Sequence, residues 1–308
     1  MRTEHIQGII PPIVTPFRAD GSIDEELHRR EVRYMVETAG VHGLAVGGST
    51  GEGHTLSTEE CRDLVAWTME EVDGRIPVIA GVIADSTREA VERGNALKDL
   101  RPAALQVTPV HYLFRPDDES MLRFFGEIAG RVGLPLIVYN VVPWAYLSVP
   151  LLVRLFREVD GAIGVKQSAS DVKALADLLH YAGDAGIGDR VRIITAVDAL
   201  LYPSFQLGAH AAIAAILSAI PEACVALWEA VQAGDDDTAR RLHDQLLEVW
   251  NALEAPNLPA NVRTAMRILG REGGYPRAPM PTSSPEQAER IRRAIEAMKT
   301  ATRAVLAD

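Results

Sequence analysis

Hydrophobic and polar positions along the chain fall into two alternating patterns. Short runs of apolar, often β-branched residues are typical of buried strands, and the longer segments between them repeat apolar positions with the period of a helix. The runs predict strands at residues 8–14, 43–46, 76–80, 103–107, 134–139, 161–166, 191–195 and 211–215. The helical segments are predicted near 24–39, 57–72, 87–100, 118–131, 150–160, 171–182 and 198–206. This alternation indicates repeated βα units and a parallel sheet.

The number of βα units favours a closed barrel over an open sheet. The rhythm continues for eight units within roughly 220 residues, which is the usual size of a (β/α)8 TIM barrel. Beyond Pro221 the pattern is helical only, with helices predicted near 222–233, 236–253, 259–269 and 285–307. We therefore predict a catalytic barrel over residues 1–221 and a helical extension packed on it over residues 222–308.

Composition and charge narrow the class of function. The chain has 308 residues, 47% of them hydrophobic, a formal net charge of −11 and a pI near 5.3. Nucleic acids and anionic membranes attract clustered Lys and Arg, so we expect neither as a partner. No stretch approaches the ~20 apolar residues of a membrane span, and nothing resembles a signal peptide. Cys61 and Cys224 lie far apart, which predicts no disulfide framework and fits a reducing cytoplasm.

A lysine ends the sixth predicted strand, Gly161-Ala-Ile-Gly-Val-Lys166. In a barrel the functional groups lie at the carboxyl ends of the strands. An amine there is partly removed from water, which disfavours its charged form and makes it a possible nucleophile towards a carbonyl carbon. Most lysines at strand ends are simply solvated, so this pattern alone leaves both interpretations open.

A glycine-rich turn, Gly47-Gly-Ser-Thr-Gly-Glu52, follows the second predicted strand. Such a turn directs backbone N–H groups and two hydroxyls towards one point, which suits an anion such as a carboxylate. It has neither the Gly-Lys-Ser/Thr ending of a P-loop nor the glycine order of a dinucleotide site. An ordinary tight turn remains the alternative. The candidate substrate-binding residues here are Gly48, Ser49, Thr50 and Gly51.

Two further strand ends carry polar and aromatic residues. Tyr139 ends the fifth strand, and because neighbouring strands lie ~4.8 Å apart, its phenol and the Lys166 amine can meet over one substrate carbonyl. Tyr139 could then transfer protons, although a rim tyrosine in water is the simpler interpretation. The segment Thr108-Pro-Val-His-Tyr112 after the fourth strand places His111 and Tyr112 in a substrate contact or a subunit interface. Ile213 of the eighth strand is a further candidate substrate contact.

No metal site is predicted. The eight histidines form no H-x-H or H-E-x-x-H pair, and a metal-dependent aldolase would need a cluster of ligands. The acidic run at 235–237 stands where a helix should begin, and acidic residues there complement the helix dipole.

In their order and spacing, Gly48-Ser-Thr-Gly-Glu52, Tyr139-Asn140 and Gly164-Val-Lys166 resemble the dihydrodipicolinate synthase/N-acetylneuraminate lyase family. The likeness extends over nearly the whole chain, with support from residues 76–81 and 256–259. It implies a barrel with a helical tail, a lysine Schiff base with pyruvate or another 2-keto acid, no other cofactor, and usually a homotetramer. By position, Lys166 matches the imine-forming lysine and Tyr139 the proton-transferring tyrosine. Ser49 and Thr50 match the residues that hold the keto-acid carboxylate, and we count Thr50 among the catalytic residues.

Two departures from the family pattern bear on the substrate. Where dihydrodipicolinate synthases resemble Y-N-x-P-x-R-T-G, this chain reads Tyr139-Asn-Val-Val-Pro-Trp-Ala-Tyr-Leu-Ser148, so the arginine for the second carboxylate of the aldehyde is missing. The T-P-Y-Y pattern is also replaced, by Thr108-Pro-Val-His-Tyr112. A carboxylate without its arginine partner is costly to bury, so aspartate semialdehyde is expected to be a poor acceptor unless Arg115 or another base substitutes.

The expected function is a lyase that cleaves or dehydrates a 2-keto acid, such as a 2-keto-3-deoxy sugar acid, through Lys166. The sequence leaves open whether the reaction is aldol cleavage or dehydration. Dihydrodipicolinate synthase activity is the first alternative, and a non-catalytic keto-acid-binding protein is the second. Apolar and aromatic residues after the fourth strand, at 110 and 112–114, form a patch that a monomer would rarely expose, which predicts a homotetramer built from dimers.

Overall fold

Eight parallel strands form the centre of the protein. A computed structural model describes residues 5–169 and 171–305. The strands are β1 Gly8–Ile9, β2 Leu44–Val46, β3 Val78–Val82, β4 Ala104–Val107, β5 Leu136–Asn140, β6 Ala162–Gln167, β7 Arg192–Thr195 and β8 Ala211–Ala212. Helices between them are α1 Glu25–Glu37, α2 Thr58–Val72, α3 Thr87–Ala96, α4 Asp118–Val132, α5 Val149–Glu158, α6 Val172–Asp184 and α7 Leu201–Gln206. The chain continues through α8 Ile216–Ala219, α9 Pro221–Ala233, α10 Asp236–Leu253, α11 Leu258–Ile268 and α12 Pro285–Val305.

The sheet closes on itself as predicted. Its strand order is β1-β8-β7-β6-β5-β4-β3-β2. A parallel bridge between Pro12 and Ala45 joins the segment that follows β1 to β2, and the Ile13 amide donates to the Ala45 carbonyl oxygen at 2.9 Å. The (β/α)8 barrel is therefore confirmed.

Several element boundaries differ from the predicted ones for local reasons. The first strand is two residues long instead of spanning 8–14, because Pro11 and Pro12 have no amide hydrogen to donate. Pro77 likewise delays β3, which begins at Val78 rather than at residue 76. The eighth strand ends at Ala212, and α8 then begins where the sequence pattern predicted no helix. The last predicted helix is confirmed over residues 285–305, and its final two residues lie outside the described residues.

Alternation along the strands separates two cores. Outward side chains pack against the helices, whereas the inward side chains form a small apolar cluster inside the barrel. The inward cluster consists of Ile6, Ile10, Ala45, Ile79, Ala104, Ile137, Ile163, Ile194, Ala211 and Ile213. The barrel is thus a packed interior rather than a pore.

Arginines fasten the carboxyl-terminal helices to the barrel. Arg271 pairs with Glu31 of α1 at 2.5 Å, and both side chains are buried. Arg277 pairs with Glu60 of α2 at 2.5 Å. The division at residues 221 and 222 stays a prediction, but these ion pairs show that the tail packs on the barrel. None of the described helices has the length and apolar character needed to cross a membrane.

A buried histidine joins α1 to α2. The His28 Nε2 atom lies 2.8 Å from Thr68 Oγ1, which in turn donates to the Leu64 carbonyl oxygen. Burial lowers the pKa of His28 from 6.5 to about 4. Below pH 6.5 the unfolded chain therefore takes up a proton that the folded protein refuses, so stability falls as the pH drops towards 4.

We expect this histidine to make the fold acid-sensitive. Between its two pKa values it costs about 1.4 kcal/mol per pH unit, so roughly 2 kcal/mol of unfolding free energy should be lost on going from pH 7 to pH 5. In His28→Gln that part of the loss should disappear. Denaturant titrations at both pH values measure it, with the exposed His180→Gln as the control. An equal pH dependence in His28→Gln and the wild type would contradict the assignment.

Candidate active site

Lys166 and Tyr139 lie side by side at the carboxyl ends of adjacent strands. The two residues are direct partners in the β5–β6 register. The Lys166 Nζ atom lies 4.2 Å from the centroid of the Tyr139 ring. Both side chains are buried, with 5% and 1% of their surface exposed. The pair predicted from strand adjacency is therefore brought together, while its catalytic role stays a prediction.

The Tyr139 phenol is held by Ser49 and influenced by Lys166. The hydroxyl donates to Ser49 Oγ at 2.9 Å and accepts from the Ser49 amide at 3.2 Å. Burial alone would raise the pKa of Tyr139, but the Lys166 charge and the Ser49 hydrogen bonds outweigh burial, and the net pKa is lowered. A phenol that loses its proton more easily is suited to proton transfer.

Close backbone packing shapes the glycine-rich turn. A Cβ atom on Gly81 of β3 would lie 2.3 Å from the Gly47 carbonyl oxygen, so this position admits only glycine without a shift of the turn. The turn brings Gly48 and Ser49 against Tyr139, whose hydroxyl lies 3.7 Å from a Cβ built on Gly48. Thr50 is buried in the same turn, but the hydrogen bonds of the phenol go to Ser49.

A buried ion pair closes the turn. Glu52 has a left-handed backbone conformation, with φ of 55°, and its Oε1 lies 2.7 Å from Arg263 Nη2 of α11. Arg263 also donates to the Thr15 carbonyl oxygen at 2.6 Å, and the Thr15 hydroxyl donates to the Gly51 carbonyl oxygen at 2.6 Å. Burial lowers the pKa of Arg263 to about 10, which keeps it charged at neutral pH. The carboxyl-terminal tail therefore fixes the candidate carboxylate site.

An amide pair supports the lysine from the other side. Asn140 is fully buried, and its Nδ2 donates to Gln167 Oε1 at 3.1 Å. Its Oδ1 accepts from the Leu147 amide at 2.9 Å. Asn140 therefore holds the loop after β5 and the residue that follows Lys166, a role that the sequence motif did not indicate.

The loops after β4 and β5 lie at the edge of the barrel's mouth, which is the open end formed by the carboxyl ends of the strands. The His111 and Tyr112 amides both donate to Asp85, and Trp144 Nε1 donates to the His111 carbonyl oxygen at 2.9 Å. The Tyr112 side chain is 84% exposed and is not brought to Lys166. Arg115 is paired with Asp118 at 2.9 Å. Substrate contact by His111 and Tyr112 thus stays a prediction.

Two other residues complete the surroundings of the mouth. Ile213 is fully buried in the inward cluster, one residue beyond the end of β8, and its contact with a substrate stays a prediction. Tyr146 donates to the carbonyl oxygen of Ser168, two residues beyond the lysine, at 3.3 Å.

Asp198 is a candidate that the sequence interpretation missed. It follows β7, and its Oδ1 accepts from the Ile216 amide at 2.7 Å. Burial raises the pKa of this carboxyl group to about 6, against an opposing attraction from Lys166. The available signal was an acidic residue just beyond a barrel strand, which the helical pattern assigned to a helix start instead.

Other parts of the molecule offer less chemistry. A cavity of about 1040 Å³ lies at the opposite end of the barrel, between segments that enter β3 to β6. Barrel enzymes carry their active sites at the carboxyl end, so we place the site at Lys166. Within residues 5–169 and 171–305, no three His, Cys, Asp or Glu side chains form a group that could hold a metal ion.

Comparisons with known proteins agree with this geometry. Residues 5–298 match the model of the dihydrodipicolinate synthetase family. The 4-hydroxy-tetrahydrodipicolinate synthase of Methanopyrus kandleri is 34% identical over 295 residues, covering 94% of this chain and 96% of that protein.

Solved structures give the same result. A prophage protein of E. coli K12 from the dihydrodipicolinic acid synthase family, in complex with pyruvate, is 25% identical with a TM-score of 0.89, covering 96% of this chain and 99% of the other. A dihydrodipicolinate synthase variant described as the first monomeric one is 25% identical with a TM-score of 0.90, covering 96% and 97%. The chain is thus an enzyme of the lyase type, and it belongs to the dihydrodipicolinate synthetase family.

Proposed function

We propose that the protein is a lyase that acts on a 2-keto acid through a Schiff base on Lys166. The observation that carries this proposal is the buried amine of Lys166, 4.2 Å from the Tyr139 ring, beside a phenol held by Ser49. A nucleophile next to a group that transfers protons is the arrangement that covalent catalysis requires. No cofactor beyond the lysine is needed, and we expect the enzyme to work in the cytoplasm.

The proposed reaction uses the imine as an electron sink. Lys166 Nζ attacks C2 of the keto acid, and loss of water, with Tyr139 transferring the protons, gives an iminium ion. A base such as the Tyr139 phenolate can then take the proton of the C4 hydroxyl as the C3–C4 bond breaks, which leaves an enamine and an aldehyde. Alternatively, C3 loses a proton and the C4 hydroxyl leaves as water, which gives an unsaturated iminium ion. In the cleavage branch the enamine is protonated at C3, and in both branches hydrolysis of the imine returns the free lysine.

The mouth favours a substrate with hydroxyl groups. Asp198 and the Tyr146 phenol offer hydrogen-bonding groups near the lysine, whereas Arg115 is engaged by Asp118. Hydroxyl groups donate to carboxylates, but a second carboxylate on the substrate would lack a bidentate arginine partner. We therefore favour a 2-keto-3-deoxy sugar acid or a related compound.

The second candidate is 4-hydroxy-tetrahydrodipicolinate synthase activity, from pyruvate and aspartate semialdehyde. It is favoured by the function named for the Methanopyrus kandleri relative, which matches this chain over most of its length. The two candidates share the lysine chemistry and differ in the reaction, which is cleavage or dehydration of one keto acid in the first and condensation of pyruvate with an aldehyde in the second.

Borohydride trapping tests the lysine chemistry. With pyruvate and borohydride, the wild type should gain the mass of one reduced pyruvate, because reduction makes the imine permanent. Lys166→Ala should gain none, and Lys173→Ala, which removes an exposed lysine of α6, should still be labelled. Tyr139→Phe should slow adduct formation by roughly 10²- to 10⁴-fold. An adduct that persists in Lys166→Ala would refute the proposal.

Competing substrates test the specificity. We expect kcat/KM for cleavage or dehydration of 2-keto-3-deoxy sugar acids to exceed that for pyruvate plus aspartate semialdehyde, because Arg115, the arginine described near the mouth, is already engaged by Asp118. Product analysis would separate aldol cleavage from dehydration. Efficient condensation with aspartate semialdehyde would establish the second candidate instead, and binding of keto acids without turnover would indicate a non-catalytic binding protein.

Assembly provides a further test. The rim exposes four large apolar side chains, Tyr112, Leu113, Phe114 and Trp144, at 84%, 84%, 61% and 68%. Val110, predicted to be part of this patch, is instead buried because it packs into the core. We propose that a second subunit covers them in a homotetramer built from dimers. Light scattering at micromolar concentration should show a tetramer, and Leu113→Glu should lower the mass. Leu207→Glu, elsewhere on the surface, is the control. A monomeric wild type would refute this proposal.

A further inference from the structure

Gln106 is a buried amide without a protein partner. It lies in β4, two residues after the inward-facing Ala104, and is 0% exposed. Among the residues that the structure describes, neither its Nε2 nor its Oε1 has a hydrogen-bond partner. The next inward residue on the strand, Thr108, has an unpartnered hydroxyl as well. Two polar groups therefore lead from the apolar interior towards the mouth.

The surroundings offer this amide no hydrogen bond, so it lowers the stability of the ligand-free protein. Its partners across the sheet are Gly81 of β3 and Ile137 of β5, which offer no polar side chain. A buried amide without a hydrogen bond destabilises a fold, and native proteins rarely keep one without a reason. An apolar side chain of the same length would remove that cost, so the amide points to a ligand.

The position of Gln106 identifies the part of the ligand that it can reach. Its Nε2 lies 2.9 Å from a Cβ built on Gly48, and the Tyr139 hydroxyl lies 3.7 Å from the same point. Because Gly48 has no side chain, the Gln106 carboxamide can pack against the turn that contains Ser49, close to the Tyr139 phenol. Gln106 is 0% exposed, so this position is in the buried part of the site, away from the exposed loops after β4 and β5.

We propose that Gln106 binds the carboxylate of the keto acid, with its N–H groups donating to a carboxylate oxygen. This proposal rests on the proposed function, in which the Gly48–Gly51 turn holds that carboxylate. The carboxamide supplies donors without a further charge next to Lys166, and a carboxylate accepts several hydrogen bonds at once. Because the distal part of the substrate extends to the mouth, Gln106 recognises the acid group common to all candidate substrates.

The test compares pyruvate with methyl pyruvate, which lacks the anionic carboxylate. In Gln106→Met, which keeps length and volume, the Kd of pyruvate measured by calorimetry should rise about 10- to 100-fold, as expected for a hydrogen bond to a charged group. The Kd of methyl pyruvate should change little. General damage to the site would weaken both ligands equally and would overturn the proposal.

Stability provides a second readout. The denaturation midpoint of ligand-free Gln106→Met should be equal to or above that of the wild type, because an unpartnered amide is removed. Leu105→Met, an outward-facing change on the same strand, should leave the preference for pyruvate unchanged. A less stable Gln106→Met with unaltered pyruvate binding would assign the amide a structural role and overturn the proposal.

Borohydride trapping separates this proposal from the Schiff-base chemistry. Pyruvate binding that depends on Gln106, in a protein that forms no adduct, would reject the Schiff base and retain the carboxylate contact. An adduct together with binding that is independent of Gln106 would do the reverse. A wild type that binds no pyruvate would overturn both.

Discussion

The buried pair of Glu52 and Arg263 is the interaction on which the rest of the site depends. Both side chains are almost fully buried, at 0% and 1% exposure. Breaking such a pair by removing one partner leaves an uncompensated charge, at a cost of about 3–5 kcal/mol. Because one charge lies in the glycine-rich turn and the other in α11, the turn can keep its shape only while the carboxyl-terminal helices stay in place. The extension therefore supports the candidate active site.

Polar groups in the barrel are arranged by depth. The lower interior is filled by isoleucine and alanine, and the upper layer carries Lys166, Tyr139 and Thr108. Gln106 lies at the boundary between the two. An apolar floor lowers the local dielectric, which strengthens every hydrogen bond and charge interaction above it. The same floor makes unpaired polar groups costly, so each one that remains needs a partner in the protein or in the ligand.

The same principle explains which side chains are held and which are free. Tyr139 and Asn140 are buried and have their hydrogen bonds made by Ser49, Gln167 and Leu147. Such groups are fixed before a substrate arrives, which is how a site reduces the reorganisation needed during reaction. The loop with Tyr112 lies outside this network and is exposed, in keeping with a contact to another molecule.

The local pattern of residues was enough to predict the βα rhythm, the closed barrel, and the strand ends that carry Lys166, Tyr139 and the glycine-rich turn. This was possible because strand and helix periodicity is set by residues close together in the chain, and parallel strands place their carboxyl ends on one face. The folded chain was needed to reveal the pairing of Glu52 with Arg263, the raised pKa of Asp198 and the unpartnered amide of Gln106. Each of these depends on burial and on neighbours far away in sequence, and no local pattern records either one.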